Sequence, residues 1–473
     1  MKTYSSYFLS ITVCLLTAGC VVTPTNQSNN NAGSPLSSPA ASPSPANEKA
    51  TNTQPLTLPV LDAFFADESF PELLKTRLQL TDDQVTKLKQ LAHAETAKLN
   101  EASAGTTEGE TAAARATAQE KISAIIGEEK TQQLATLVGE QWSGASENTA
   151  ATKSSGTSNP TNAKEFAANA PNAVPTDSRI VINAPAFRMD VFDGGRLVKS
   201  YKVGIGYPEF PLPTGLRKAT TIIFNPTWTP PDEPWVARMK VNVGEKIEAG
   251  SKLNPLGPIK IPIGGPSLIH GGKSPAKLGT FASHGCVGLT TPQVQDFAKL
   301  LAQIGGARLS DDDLARYARD KTETKQLRLS NPVPVELRYE TIVVEDGKLH
   351  IYRDVYDQDT NTEENLRDVL AAAGIKFEDL TQAEQTQVLD ALQQMSGKST
   401  AKIRSNAIAN QSSSAIALAS PANSKDKKSS ATKKSPRAAR NQKEIVIEIA
   451  ALQGKGYPAP VDLDTGTGKT KKI

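Results

Sequence analysis

The chain has 473 residues, enough for two or three domains, yet only 38% of it is hydrophobic and 5% aromatic. Ser, Thr, Ala, Asn and Pro gather in several stretches that bury too little apolar surface to offset the entropy of ordering them, which excludes one core running the whole length. The formal net charge of +3 carries no nucleic-acid signal, and no nucleic-acid partner is expected.

The N-terminus reads as an export signal over residues 1–19. Lys2 supplies the positive region, Phe8 to Leu16 a short apolar run, and Leu16-Thr17-Ala18-Gly19-Cys20 the cleavage zone. The run is too short to span a bilayer comfortably. The pattern resembles a bacterial lipobox, with Thr17 where Leu is commonest, and implies a mature protein anchored through lipid on Cys20. Val21 lacks the Asp that can signal inner-membrane retention, so the expected location is the outer membrane, facing the periplasm. Cys14 would leave with the signal, and of the three cysteines only Cys286 then remains as a thiol. Exported proteins usually pair their cysteines, so a lone thiol there invites a chemical explanation.

Residues 20–54 read as a disordered tether, and 55–142 as an α-helical hairpin region. Thr81-Asp82-Asp83-Gln84 is a capping box, followed at helical spacing by Val85, Leu88, Leu91, Ala92 and Leu99. A second helix is predicted from about Thr111 to Val138, burying Ile122, Ile125, Ile126, Leu134 and Leu137. Leu80 to Gln84 is similar to the LTxxQ signature of small periplasmic helical proteins. His93 reads as a surface residue, and no partner for the hairpin is identified. A second disordered linker is expected over 143–177.

The segment 178–357 reads as a mostly β domain. Arg179 to Asn183 and Phe187 to Phe192 are β-rich, Asp193-Gly194-Gly195 is a hairpin turn, and Leu197 to Ile205 supplies the next strand. Proline-bearing loops follow at Pro208 to Pro213 and Pro226 to Pro234. Trp228 and Trp235 among them fit either a groove lining or a packed loop. Thr291 to Leu301 is helical, with Pro292 early in the helix. Val333 to Leu337, Thr341 to Val344 and Leu349 to Tyr352 add strands, and His350 reads as structural. A helical segment over 358–397 carries Leu366, Val369 and Leu370, then Val388, Leu389, Leu392 and Met395. Residues 398–443 are low-complexity and end in a basic run from Lys425, read as a solvated tail or a contact with anionic lipid or wall. Residues 444–473 hold a terminal strand and tail, taken as the last strand of the β domain.

Chemistry concentrates in Ile269-His270-Gly271-Gly272 and Phe281 to Leu289. Together they hold two of the four histidines and Cys286. A thiol reacts as its thiolate, which a neighbouring imidazole generates and stabilises. Gly285 permits close backbone approach, and the Gly285 and Cys286 N–H groups are candidate oxyanion donors. Spacing alone leaves His270 and His284 both open as the base. An inert buried cysteine is one rival. Zinc on His270, His284 and Cys286 is another, but no further ligand of suitable type lies nearby, so no metal or cofactor is expected.

His270-Gly271 followed by Ser283-His284-Gly285-Cys286 resembles the signature of the bacterial L,D-transpeptidase catalytic domain, the YkuD type, over roughly Arg179 to Tyr356. Asn183 to Arg188, Pro213-Thr214-Gly215, Pro332 to Val335 and Gly347 to His350 agree with it. The resemblance implies a mainly β, YkuD-like sandwich with appended helical segments and long disordered linkers. It implies Cys286 as nucleophile and His270 as base, with the Gly271 carbonyl orienting the imidazole and Ser283 and His284 supporting the site. Gly288 departs from it, standing where Arg or Asn is usual. The implied reaction is acyl transfer on peptidoglycan stem peptides through a Cys286 thioester, in wall cross-linking or remodelling. Water as acceptor would make the site a hydrolase, and a decayed site would leave a wall-binding scaffold.

Overall fold

The computed structural model describes residues 56–67, 69–99, 110–142, 170–232, 236, 239–265, 267–396 and 442–467. All fall in one compact unit, Asn52–Ile473. The signal, the lipobox with Cys20, the tether, Trp235 and most of the expected second linker and basic run lie outside the described residues.

Where two helices were expected, five form: α1 (Leu58–Phe65), α2 (Phe70–Leu78), α3 (Asp82–Thr96), α4 (Glu110–Ile126) and α5 (Glu128–Trp142). The Thr81–Gln84 capping box is present at the start of α3. The single helix predicted to Val138 is two, because Gly127 at φ +82° ends α4 and α5 starts at the next residue. Helix α1 has no readable period: seven of its eight residues are buried, so the run is apolar on nearly every side. Leu61, Leu74, Leu88, Ile122 and Leu134 are fully buried in the core these helices share.

An eight-stranded mixed sheet forms the centre, in the order β3-β2-β1-β10-β5-β6-β7-β9. Its strands are β1 (Arg179–Asn183), β2 (Arg188–Asp193), β3 (Arg196–Lys202), β5 (Gly215–Phe224), β6 (Ile259–Pro262), β7 (Leu268–His270), β9 (Val287–Gly288) and β10 (Lys325–Arg338). A short parallel pair, β4 (Ile205–Gly206) with β8 (Phe281–Ser283), lies apart from it. The register of β10 against β5 shifts between Arg328 and Val333, where Pro332 has no N–H to give the ladder.

Helix α6 (Thr291–Ile304) starts on a Thr290–Gln293 capping box and packs on the sheet. Val294, Phe297, Ala298 and Leu301 recur at helical spacing and are buried in the main core with Ile180, Ile222, Ile261 and Val335. Each of the larger side chains, Val294, Phe297 and Leu301, contributes roughly 1.5–3 kcal/mol of burial. Helix α7 (Asp311–Arg319) follows with no buried residues.

A second, three-stranded sheet is built from β11 (Ile342–Glu345), β12 (Lys348–Tyr352) and β13 (Glu444–Glu448). Against it lie α8 (Glu363–Ala372) and α9 (Gln382–Met395), in a core of Val344, Ile351, Leu366, Val388 and Ile447. The terminal strand therefore pairs with β12, away from the main sheet. The two sheets meet through Phe192, Val343, Tyr352 and Tyr457, and through Arg188, which pairs with Asp190 at 2.9 Å and Glu345 at 2.6 Å. The described residues thus form a large β-sheet domain with appended helices.

Candidate active site

Strands β7 and β9 are parallel neighbours, with Ile269 opposite Val287 and His270 opposite Gly288. Ile269 and Val287 are fully buried, so they point to the core. Side chains alternate along a strand, which turns His270 to the other face. Cys286 sits in the bend that leads directly into β9, two residues before the Gly288 that faces His270. The pairing is continued by Leu289, whose N–H donates to the His270 carbonyl at 2.8 Å.

His270 is 4% exposed, and its Nδ1 lies 2.8 Å from the Gly271 carbonyl oxygen. A carbonyl only accepts, so Nδ1 carries the proton and Nε2 the lone pair. Burial, and then the nearby Lys273 charge, push the imidazole down to about 3, while the Gly271 and Leu256 carbonyls pull the other way. The ring is therefore neutral near pH 7. Gly271 has no room for a side chain: a Cβ there would lie 2.6 Å from Val294 Cγ1.

Cys286 is half-buried. Its loop is tied at two points. Ser283 Oγ accepts from the Cys286 N–H at 3.0 Å and donates to the Cys286 carbonyl at 2.5 Å. The Cys286 N–H, expected as an oxyanion donor, is thus engaged by a side chain. Ser267, absent from the sequence reading, is buried and donates to the Gly285 carbonyl at 3.0 Å. Gly285 itself sits at φ +87°, a conformation that strains any residue with a Cβ.

His284 is held differently. Its ring meets the Tyr207 ring edge-on at 5.3 Å and the Phe210 ring at 4.8 Å. Burial in this aromatic slot, with Lys273 again second, lowers its pKa to about 3. Neither aromatic was singled out from the sequence, where Phe210 read only as part of the proline-bearing loop Pro208 to Pro213 and Tyr207 just precedes it. That loop is fixed from two sides. Buried Tyr356 accepts from the Leu212 N–H at 3.1 Å and donates to the Gly206 carbonyl at 2.9 Å. From the helical region, Thr57 Oγ donates to the Glu209 carbonyl at 2.7 Å and Thr111 Oγ to that of Pro208 at 2.8 Å, while Leu99 packs on Tyr207 and Phe210.

Residues 177–333 match the family model for the YkuD L,D-transpeptidase catalytic domain. No curated protein matches the chain. Among solved structures, the chain is similar to the Ldtfm-avibactam carbamoyl enzyme at 13% identity and TM-score 0.22, over 35% of this chain and 50% of that one. The catalytic domain of the E. faecium L,D-transpeptidase matches at 14% and 0.22, over 35% and 98%. An L,D-transpeptidase from Mycobacterium smegmatis matches at 15% and 0.20, over 34% and 58%. The match thus spans only half of the first of these enzymes and under two thirds of the mycobacterial one.

The other histidines and Trp228 lie elsewhere in the architecture. His350 Nδ1 meets Glu444 Oε1 at 2.6 Å between β12 and β13. His93 Nδ1 lies 3.7 Å from Asp62 Oδ1 in the helical region. Trp228 is buried with Ile247 and Leu256, a packed loop whose far side carries the Leu256 carbonyl facing His270.

Proposed function

We propose that the chain is a cysteine-dependent L,D-transpeptidase acting on peptidoglycan stem peptides. The observation that supports this is the β7/β9 pairing, in which His270, its Nδ1 held by the Gly271 carbonyl, lies opposite Gly288, two residues after the half-buried Cys286. Nε2 of His270 takes the thiol proton, and the imidazolium is stabilised by the thiolate beside it and by the Gly271 and Leu256 carbonyls. The thiolate attacks the carbonyl carbon of the L-centred residue, giving a tetrahedral oxyanion. Collapse breaks the C–N bond, and the departing D-residue amine takes the proton from His270, leaving a thioester on Cys286. An acceptor amine attacks that carbonyl, His270 receives its proton, and the C–S bond breaks to restore the thiolate. Water in place of the amine would give hydrolysis at the same centre. Ser283, Gly285 and Ser267 hold the nucleophile's backbone, and His284 locks the loop through its aromatic slot.

The N-terminal sequence supports export and anchoring through lipid on Cys20, with the domain facing the periplasm from the outer membrane. One experiment reads both parts: intact mass of the chain isolated from membranes, before and after a stem tetrapeptide or a carbapenem. A chain beginning at acylated Cys20 and gaining an adduct that Cys286→Ala abolishes is the expected result. An unmodified N-terminus sinks the anchor, and an adduct indifferent to Cys286→Ala, or none, sinks the enzyme.

A further inference from the structure

Between the helical region and the loop Pro226 to Pro234 lies a cavity of about 830 Å³ that the acyl-transfer chemistry does not use. Its walls are largely apolar, from Phe65 of α1, Pro71 of α2, Val85 of α3 and Pro231 of the loop. Asp62 of α1 also lines it, with a side chain only 4% exposed. Its Oδ2 is shut off from water and accepts no hydrogen bond. At Oδ1, His93 Nδ1 stands 3.7 Å away, beyond hydrogen-bond range. Thr96, another polar neighbour, gives its hydroxyl proton to the Ala92 carbonyl at 2.9 Å. Lys75, also on the cavity, is already held by Glu72 at 2.5 Å and Asp82 at 3.0 Å. A carboxyl buried in this way is costly unless a donor reaches it. Asp232, exposed on the loop, adds a second carboxylate to the same cavity.

We propose that this cavity is a ligand site that takes an alkylammonium, as on a lysyl side chain of a peptide, with Asp62 as its counter-ion. An aliphatic stem suits the apolar walls, and the ammonium supplies the donor that Oδ2 lacks. His93 lines the cavity beside Asp62 with a side chain 42% exposed, so a change of its rotamer admits the head group. An anionic ligand is opposed by both carboxyls, and a neutral apolar one leaves Asp62 without a donor. Filling the cavity joins the helical region to the loop through one ligand. The inference uses none of the residues assigned to acyl transfer and stands or falls apart from that reading.

The test is calorimetry on the full chain with a capped Ala-Lys-Ala tripeptide and its Nε-acetyl form, which keeps the stem and removes the charge. The lysyl peptide should bind at least about tenfold more tightly, as expected for a charge-assisted contact. Asp62→Asn, close to isosteric, should erase that difference while circular dichroism and the melting transition stay native. Asp232→Asn changes only an exposed loop residue and should weaken the lysyl peptide about two- to fivefold. Lys89→Met removes a like charge from the α3 wall and should tighten it by a similar factor. Should Asp62→Asn melt early, these two opposed shifts decide the matter. Equal affinity for the two peptides, no binding, or a preference that survives Asp62→Asn overturns the site. Tighter binding of the acetylated peptide, or weaker binding of the lysyl peptide in Lys89→Met, overturns it as well.

Discussion

Ser283 is the residue on which the backbone geometry at Cys286 turns, because one hydroxyl serves both the N–H and the carbonyl of Cys286. Removing it leaves two partly buried backbone groups unsatisfied at a cost of about 1–3 kcal/mol. Ser283→Ala should slow Cys286 acylation by roughly 10–100-fold and lower the melting temperature by a few degrees. Ser283→Thr, which keeps the hydroxyl, should recover most of the rate. Acylation kinetics beside a thermal melt decide it, and an unchanged rate in Ser283→Ala would remove Ser283 from the site. His270, Gly271, Ser283 and Cys286 could be named from sequence because they sit in two short motifs. Ser267, the Leu256 carbonyl and Lys273 could not. Their positions follow from strand register and from a packed loop, and neither is written in local residue order.

Between elements, the contact of most consequence joins the helical region to the loop that cages His284. Thr57, the N-cap of α1, accepts from Val60 N–H and also donates to the loop, while Thr111 near the start of α4 donates beside it. A pair of Thr→Val changes at 57 and 111 should free amides across Tyr207 to Leu212 for faster hydrogen exchange and slow acylation several-fold. Helices α3 and α5 should keep their protection. If exchange in the loop stays unchanged, the helical region has no hold on the site. The sequence announced helices where a cap and a periodic stripe coincide, as at Thr81. It was silent on α1, where burial on nearly all sides erases the stripe, and it ran α4 and α5 together because Gly127 breaks a helix only by its φ. Strand propensity marked β11, β12 and β13 as strands but carried no information on which sheet they join.

Across the whole molecule, folding withdraws two imidazoles from water, and this fixes how stability responds to acid. His270 and His284 both fall to about 3 in the folded chain from an ordinary 6.5. Above about pH 6.5 both states hold them neutral and they add no pH dependence. Between about 6.5 and 3 the unfolded chain binds protons that the folded chain refuses, so stability falls with pH by about 1.4 kcal/mol per unit for each ring. Among the described residues five buried or half-buried carboxyls, Asp62, Glu340, Glu345, Asp354 and Asp357, have raised pKa values and act in the opposite sense. In the window between their ordinary and raised values the folded chain binds the extra protons and gains stability as pH falls. A single denaturation curve would therefore mix the two. His284→Phe separates them, since phenylalanine fills the slot between Tyr207 and Phe210 without titrating. Its stability relative to the native chain should be level above pH 7 and improve by about 1.4 kcal/mol per unit as pH drops toward 4. Urea unfolding of the two chains at matched pH measures that difference, and a difference that stays constant with pH would mean His284 already charges in the folded state.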